Sequence, residues 1–138
     1  MSRFLAVCCV IALAACDSPT DRGAEVVPWL QGSWEYAATQ DSPQLRMSGT
    51  LAISQQIGDS ISGSIEYVEV DAFGHSRNRL NMFTGRVRNN REVTITAYFG
   101  NRIRTHTGML LGDSIGGRFA QPITDSASYT GNFLARRQ

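Results

Sequence analysis

The sequence contains no lysine, and its three cysteines, at positions 8, 9 and 16, all lie near the N-terminus. Because no cysteine follows residue 16, the rest of the chain cannot form an internal disulfide. The 13 basic residues, all arginine, are balanced by 12 acidic residues, so the charge gives no support to a nucleic-acid partner. Residues 4–15 form an apolar run that is too short to span a bilayer. No window shows helical spacing of apolar residues over three turns, which argues against a helical fold.

Leu13-Ala14-Ala15-Cys16 closes this apolar run and resembles a lipobox, the sequence at which bacterial lipoproteins are cut before a cysteine that is then acylated. Arg3 and the apolar run fit a signal peptide. The resemblance implies a signal peptide over residues 1–15 and a lipid on Cys16. We therefore expect a protein of the bacterial cell envelope, anchored to a membrane through Cys16 and facing the periplasm or the exterior.

Residues 16–28 comprise the expected lipidated cysteine and the segment that follows it. This segment is rich in Ser, Pro, Thr, Asp, Gly and Glu and has no apolar periodicity, so we expect it to be a flexible tether. Residues 29–138 then have the length of one domain with a substantial core. Alternation of apolar and polar residues with a period of two predicts eight strands, at residues 33–40, 46–57, 61–70, 77–88, 92–99, 102–111, 115–121 and 127–137.

The connections between the predicted strands alternate in length. Tight turns containing Gly or Asn occupy residues 58–60, 89–91 and 112–114, whereas residues 41–45, 71–76 and 122–126 form longer loops, and only the tight Gly100-Asn101 breaks this order. Successive hairpins predict an all-β fold, an eight-stranded antiparallel up-and-down β-barrel. The three tight turns should lie at one end of this barrel, called here the closed end, and the longer loops at the other, called the open end.

Residue parity predicts which side chains face the interior. If each tight turn has three residues, the odd-numbered positions form the apolar face, and the paired residues are Ile57 with Ile61, Ile53 with Ile65, Val87 with Val93, and Leu111 with Ile115. On the opposite face Arg88 lies across from Glu92, where we expect an exposed ion pair.

Gly32-Ser33-Trp34, shortly after Pro28-Trp29-Leu30, is similar to the Gly-x-Trp opening of the first strand in lipocalins and their relatives. In that superfamily the Trp closes one end of the barrel and an Arg from near the end of the barrel packs against it. The resemblance implies that Gly32, Trp34 and Arg137 close this barrel through a cation–π contact. The chain departs from lipocalins in that its sequence shows no Thr-Asp-Tyr motif, no C-terminal helix and no disulfide. It is also short for a classical lipocalin and is closer in length to avidin-like and small lipocalin-like lipoproteins. Its tryptophans are both early, which argues against biotin binding.

A polarity gradient runs along the predicted interior, which is apolar near the closed end. Near the open end the inward residues are polar or aromatic: Tyr67, Glu69, Arg77, Arg79, Asn81, Phe99, Thr105, Gln121 and Tyr129. Such a cup would suit a small apolar or amphiphilic ligand, with its charged head at Arg77 and Arg79 and its tail below. The best ligand-binding candidates are Tyr67, Glu69, Arg77, Arg79, Asn81, Phe99 and Tyr129.

The opposing interpretation is that small barrels are polar at the rim because water is there, and that side chains alone fill the interior. Inward glycines, at positions 49, 63, 85, 117 and 131, either free interior volume or ease the coiling of the strands. The sequence leaves open whether the barrel is hollow or filled.

Motifs for catalysis or metal binding are weak. Gly-Asp-Ser occurs at residues 58–60 and 112–114, but each copy is explained as a turn, and a Ser nucleophile needs a nearby His base. We expect His75 and His106 to be surface residues, and the spacing of His and carboxylates suits no metal site. We therefore expect that the protein is not an enzyme and that it has no catalytic residue, metal or cofactor.

Two outer surfaces remain as possible docking sites. Arg86, Arg88, Arg102 and Arg104, with Tyr98, Met82 and Leu110, are expected on the outer wall as a basic, partly apolar stripe. Residues 71–76 form a loop with Phe73 at its tip, which suits an alternative function as a protein-binding module, such as an envelope inhibitor of a protease or lysozyme. We expect a monomer whose partners are the membrane and either a small ligand or an envelope protein.

Overall fold

The computed structural model describes residues 26–138, which fold into eight β-strands. The strands are β1 Gly32–Gln40, β2 Leu45–Ile57, β3 Ser60–Asp71, β4 Ser76–Val87, β5 Glu92–Phe99, β6 Arg102–Leu111, β7 Ser114–Pro122 and β8 Ser128–Arg137. Neighbouring strands pair antiparallel in chain order, and β8 pairs with β1, so the sheet closes on itself. This confirms the predicted barrel, and every strand end lies within one residue of its predicted position. The predicted signal peptide, Cys16 and most of the tether lie outside the described residues.

Alternation of side chains places one face of every strand inside the barrel. The large side chains that are most completely buried come from most of the strands and from the segment before β1: Leu30, Trp34, Tyr36, Leu51, Ile53, Ile65, Val87, Val93, Ile95, His106, Ile115 and Phe119. The described core cluster and the eight strand pairings, including the one that closes the barrel, are formed among residues 26–138. Because residues 17–138 retain this core and these pairings, we expect that segment to fold on its own.

Two closed-end turns are shorter than predicted. Ile57 pairs with Ser60 and Leu111 pairs with Ser114, so the turns Gly58-Asp59 and Gly112-Asp113 have two residues each rather than three. Both glycines have a φ of 59°, which glycine adopts without steric cost. The third turn, at residues 88–91, does bring Val87 opposite Val93 as predicted. The exposed ion pair between Arg88 Nη1 and Glu92 Oε1 is present, at 3.3 Å.

A β-bulge in β2 corrects the predicted parity there. The register shifts between Ile53 and Gln55, so Ile53 and Gln56 both face inward and Ile57 is exposed. Gln56, not Ile57, is therefore the residue opposite Ile61. The predicted pairing of Ile53 with Ile65 is also wrong, because Ile65 pairs with Leu51.

A two-residue turn reverses the predicted faces of β6. Phe99 pairs directly with Arg102 across the turn Gly100-Asn101, and paired residues face the same side of the sheet. Because the odd-numbered residues of β5 face inward, the even-numbered residues of β6 face inward as well. Arg104, His106 and Leu110, expected on the outer wall, are buried. The residues expected inside, Thr105, Met109 and Leu111, lie on the outer face instead. The expected pairing of Leu111 with Ile115 is likewise replaced by Leu110 with Ile115.

Two adjacent glycines in β7 test how closely the strands approach one another. A Cβ on inward-facing Gly117 would overlap the carbonyl oxygen of Thr107 and lie 2.5 Å from the Cα of Gly108. A Cβ on Gly116 would have Leu134 Cδ1 as its nearest neighbour, at 3.6 Å. We expect Gly117→Ala to lower the free energy of unfolding by about 1–3 kcal/mol, as overpacking does, and Gly116→Ala to change it by less than about 0.5 kcal/mol. Urea unfolding of residues 17–138 measures both, and equal effects would contradict a close approach at Gly117.

Candidate functional site

A cavity of about 740 Å³ opens at the open end of the barrel, and we call it the mouth cavity. Six of the seven predicted ligand-binding residues line it: Glu69, Arg77, Arg79, Asn81, Phe99 and Tyr129. Tyr67, the seventh, is buried and does not line the cavity. The remaining lining residues are Gln40, Pro43, Leu45, Asn78, Leu80, Gly100, Arg102, Arg104 and Gln121. The mouth cavity thus combines apolar, aromatic and charged side chains.

Arg104 lines the mouth cavity although it is only 4% exposed. Its Nε donates a hydrogen bond to Gln121 Oε1 at 3.1 Å, and its Nη1 donates to Met47 Sδ at 3.1 Å. The guanidinium carbon lies 4.6 Å from the ring centroid of Phe99 and 4.7 Å from that of Phe119. Cation–π contacts with both rings therefore stabilise the buried charge.

No acidic partner neutralises Arg104 within residues 26–138. The ion pairs of this region leave Arg104 without a carboxylate. Tyr36 and Tyr67 do not supply a negative charge either, because burial raises the pKa of both hydroxyls, even though the positive charge of Arg104 opposes the shift. Arg104 is therefore a buried cation whose charge is unpaired in this part of the chain.

The rim of the mouth cavity is also predominantly positive. Arg79 Nη2 lies 3.5 Å from Glu69 Oε1, and Glu69 is the one acidic residue among those that line the cavity. The lining includes Arg77 and Arg102 in addition to Arg79 and Arg104. One carboxylate thus faces four guanidinium groups, and the cavity has a positive potential that favours anions.

Two residues that line the mouth cavity carry a buried side-chain oxygen with no hydrogen-bond partner among the described residues: Gln40 Oε1 and Asn81 Oδ1. The amide nitrogens of Gln40 and Asn81 are engaged, since they donate to the carbonyl oxygens of Pro43 and Tyr98, both at 3.0 Å. Buried polar groups are almost always satisfied, so these atoms identify the places where a bound molecule would be stabilised.

Aromatic side chains fill the barrel below the mouth cavity. Tyr36 OH lies 3.0 Å from His106 Nε2, and the ring centroid of His106 lies 5.6 Å from that of Phe119 and 5.0 Å from that of Phe133. His106 is 1% exposed, and burial, together with the charge of Arg104, lowers its pKa to about 3. These aromatic side chains therefore occupy the lower part of the interior, and the mouth cavity lies above them. An apolar tail placed below the rim, as expected from the sequence, would meet these rings.

The mouth cavity also opens sideways, between β4 and β5. β4 pairs with β3 along its whole upper half, but within the described residues it pairs with β5 only over residues 83–87. Asn78, Leu80 and Gly100 line the cavity at this gap. The cavity therefore has a lateral opening in addition to its axial one.

The three predicted barrel-closing residues meet at the closed end. Trp34 is fully buried, its Nε1 donates to the carbonyl oxygen of Leu30 at 3.0 Å, and the guanidinium carbon of Arg137 lies 4.4 Å from its ring centroid. Arg137 Nη2 also donates to the carbonyl oxygen of Trp29 at 2.9 Å. Gly32 begins β1, and a Cβ added to it would lie 3.6 Å from Arg137 Nη1. The segment before β1 is therefore fixed across this end of the barrel.

The remaining candidate groups do not assemble into a site. His75 Nδ1 lies 3.0 Å from Asp71 Oδ2 on the exposed loop that follows β3. Residues 26–138 contain no group of three His, Cys, Asp or Glu side chains that could hold a metal ion. In the same part of the chain, no helix has the length and apolar character needed to cross a membrane.

No protein-family model and no curated protein matches the sequence. Among solved structures, the chain is similar to EF1p2_mFAP2b bound to DFHBI, with 11% identity and a TM-score of 0.63 over 79% of this chain and 94% of that one. It is also similar to a de novo designed fluorescence-activating β-barrel, with 20% identity and a TM-score of 0.58 over 80% and 94% of the two chains. The S-type phycobiliprotein lyase CPES from Guillardia theta matches at 7% identity and a TM-score of 0.49, over 78% and 88%. The first two likenesses bear on the fold alone, which is a closed eight-stranded antiparallel β-barrel.

Proposed function

We propose that this chain is a membrane-anchored bacterial envelope lipoprotein whose barrel binds a small amphiphilic molecule in the mouth cavity. The observation that carries the proposal is the cavity itself, about 740 Å³ in volume and lined by apolar, aromatic and charged side chains together. Ligand sites in barrels are concave, mostly preformed and marked by a few convergent polar groups. The mouth cavity has this character.

The unpartnered polar atoms of the mouth region favour a ligand site over an ordinary wet rim. Leaving a buried polar group unsatisfied costs about 1–3 kcal/mol. Gln40 Oε1 and Asn81 Oδ1 both belong to residues that line the cavity, and Arg104 adds an unpaired charge beside them. A bound molecule with hydrogen-bonding groups would offset these costs.

A related fold is known to hold a ligand, since EF1p2_mFAP2b is bound to DFHBI. That likeness supports the capacity of such a barrel to bind a small molecule. It carries no information on which molecule this chain binds, because the two sequences are only 11% identical.

The position of residues 26–31 bears on the proposed membrane anchor. Val26 and Pro28 lie beside the closed-end turn residues Asn89, Gly112 and Asp113. A tether from a lipid on Cys16 would therefore reach the barrel at its closed end, over a segment that extends at most about 40 Å. This supports an orientation in which the mouth cavity opens away from the membrane.

The first test uses the full-length protein purified from its own host. Solvent extraction followed by mass spectrometry should detect a co-purifying small amphiphilic molecule. In residues 17–138, Leu45→Trp should weaken binding of the neutral dye N-phenyl-1-naphthylamine roughly tenfold or more, or about 1.4 kcal/mol, because the larger side chain occupies part of the space that the dye needs. Met82→Trp adds the same kind of side chain to the exposed outer wall and should leave binding unchanged. A protein that releases no such molecule and binds no dye would contradict the proposal.

A specific observation favours the alternative function in protein binding. Phe73 is 87% exposed at the tip of a loop that Asp71 fixes, since Asp71 Oδ1 accepts hydrogen bonds from the backbone nitrogens of Phe73 and His75, both at 2.9 Å. An exposed aromatic side chain on an ordered loop suits insertion into a partner's pocket. An envelope protein captured by the wild type and lost with Phe73→Ala, without any co-purifying small molecule, would support this alternative.

A further inference from the structure

We infer that the ligand of the mouth cavity is an organic monoanion whose charged group binds Arg104 at the inner end of the cavity, with its apolar part towards the rim. This inference rests on the proposed function. It reverses the arrangement expected from the sequence, in which the head lies at Arg77 and Arg79 and the tail lies below. The reversal follows from the position of Arg104 and from the aromatic side chains that fill the barrel beneath it.

The first argument is the cost of the unpaired charge. A buried cation is expensive unless it is paired and hydrogen-bonded. The partners of Arg104 are an amide oxygen, a thioether sulfur, two aromatic faces and the neutral hydroxyls of Tyr36 and Tyr67, none of which carries a formal negative charge. A single anionic group beside Arg104 would complete this environment.

The second argument is the number of donors. A guanidinium group has five N–H donors, and the hydrogen bonds of Arg104 to Gln121 and Met47 use one on Nε and one on Nη1. The hydroxyls of Tyr36 and Tyr67 also lie within hydrogen-bonding reach of Arg104, and a bound anion would share donors with them. Phe99 and Phe119 stand over the guanidinium group, so an approaching anion meets the edge, where the N–H groups point. A carboxylate or sulfonate can accept from two such donors at once.

The third argument is the distribution of charge and apolar surface above Arg104. Arg79 is paired with Glu69 at the rim, and the charges of Arg77 and Arg102, which line the same cavity, attract anions to it. Leu45, Leu80 and Tyr129 line the same space and offer contacts to an apolar or aromatic portion. The cavity therefore selects an amphiphile by its charge first and by its apolar part second.

Two dyes with one skeleton test this inference in residues 17–138. 8-Anilinonaphthalene-1-sulfonate carries one sulfonate that N-phenyl-1-naphthylamine lacks, so the ratio of their dissociation constants isolates the charge. We expect the wild type to bind the sulfonate at least about tenfold more tightly, because hydrogen bonds to charged groups are worth about 1.5–3 kcal/mol. Arg104→Met should remove this preference and leave the affinity for the neutral dye within about twofold, whereas Arg104→Lys should retain part of it.

Arg79→Met is the matched control, because Arg79 lines the same cavity but is paired with Glu69. It should keep the preference for the sulfonate. Equal affinity of the wild type for both dyes, a preference that persists in Arg104→Met, or a preference lost in Arg79→Met alone would each overturn the inference. If Arg104→Met loses its near-ultraviolet circular dichroism, the wild-type ratio and Arg79→Met decide the outcome. Failure of both dyes to bind would instead count against the proposed function itself.

Discussion

Replacing Trp34 with alanine should lower the free energy of unfolding by about 3–5 kcal/mol, the usual cost of removing a buried tryptophan. Trp34 is fully buried at the closed end, and its Nε1 donates to the carbonyl oxygen of Leu30. The ring also carries the cation–π contact with Arg137, at 4.4 Å. The substitution removes these contacts together and leaves a cavity beneath Leu30. Urea unfolding of residues 17–138, followed by circular dichroism, measures the change.

Trp29→Ala provides the control for this prediction. Trp29 is the other tryptophan of the chain, lies at the same end and is 62% exposed. Arg137 contacts its backbone carbonyl oxygen and not its ring, and the substitution keeps that oxygen. We expect a change below about 0.5 kcal/mol. A loss of less than about 1 kcal/mol for Trp34→Ala, or equal losses for the two variants, would contradict the role of Trp34 in closing the barrel.

The second large effect is a loss of stability in acid caused by His106. Burial lowers the pKa of His106 from 6.5 to about 3, and the nearby charge of Arg104 acts in the same direction. Below pH 6.5 the unfolded chain therefore binds a proton that the folded barrel excludes. The contribution of the neutral His106 side chain to the free energy of unfolding is complete above pH 6.5 and is lost as the pH falls towards 3. The expected loss is about 1.4 kcal/mol per pH unit, or about 3 kcal/mol between pH 7 and pH 4.5.

His106→Phe separates this effect from the titration of carboxylates. Phenylalanine suits the aromatic surroundings of Phe119 and Phe133 and cannot bind a proton. Between pH 7 and pH 4.5 the unfolding free energy of this variant should fall by about 3 kcal/mol less than that of the wild type. His75→Gln, at the exposed histidine, should keep the wild-type dependence. Parallel pH profiles for the wild type and His106→Phe would show that His106 titrates normally in the folded state.

The fold was predictable because barrel strands are encoded locally. Alternation of side chains and turn-forming Gly, Asn and Asp residues determine where each strand begins and ends. Each predicted strand end accordingly lies within one residue of its position in the structure. The contact of Arg137 with Trp34 was predictable for a different reason, namely the resemblance of Gly32-Ser33-Trp34 to the opening strand of lipocalins.

The interior was less predictable, because a single residue in a turn or bulge inverts a whole strand. Gly100-Asn101 is a two-residue turn, so Arg104 and His106 face inward instead of outward. The two-residue turn can be recognised in the sequence, and counting residues across it predicts that Arg104 and His106 face the interior. The bulge between Ile53 and Gln55 had no comparable signal, because it depends on how β2 curves around the barrel.

The depth of the cavity could not be predicted from side-chain pattern at all. The same alternation describes a hollow barrel and a filled one, since interior volume depends on how the inward side chains pack. Here Tyr36, His106, Phe119 and Phe133 fill the lower half, and Arg104 marks the level at which the space opens. Inward glycines do not enlarge this space at Gly117, where backbones approach too closely for a Cβ.

The most direct test of a ligand site in the mouth cavity is to map where a bound molecule lies. Amide signals of residues 17–138 can be followed by NMR during titration with 8-anilinonaphthalene-1-sulfonate. We predict that the largest shifts occur at Phe99, Arg104, Gln121 and Tyr129, and that Trp34 and Ile115 at the closed end do not respond. Shifts confined to the apolar outer wall at Met82 and Ile103, or the absence of any saturable shift, would contradict the account.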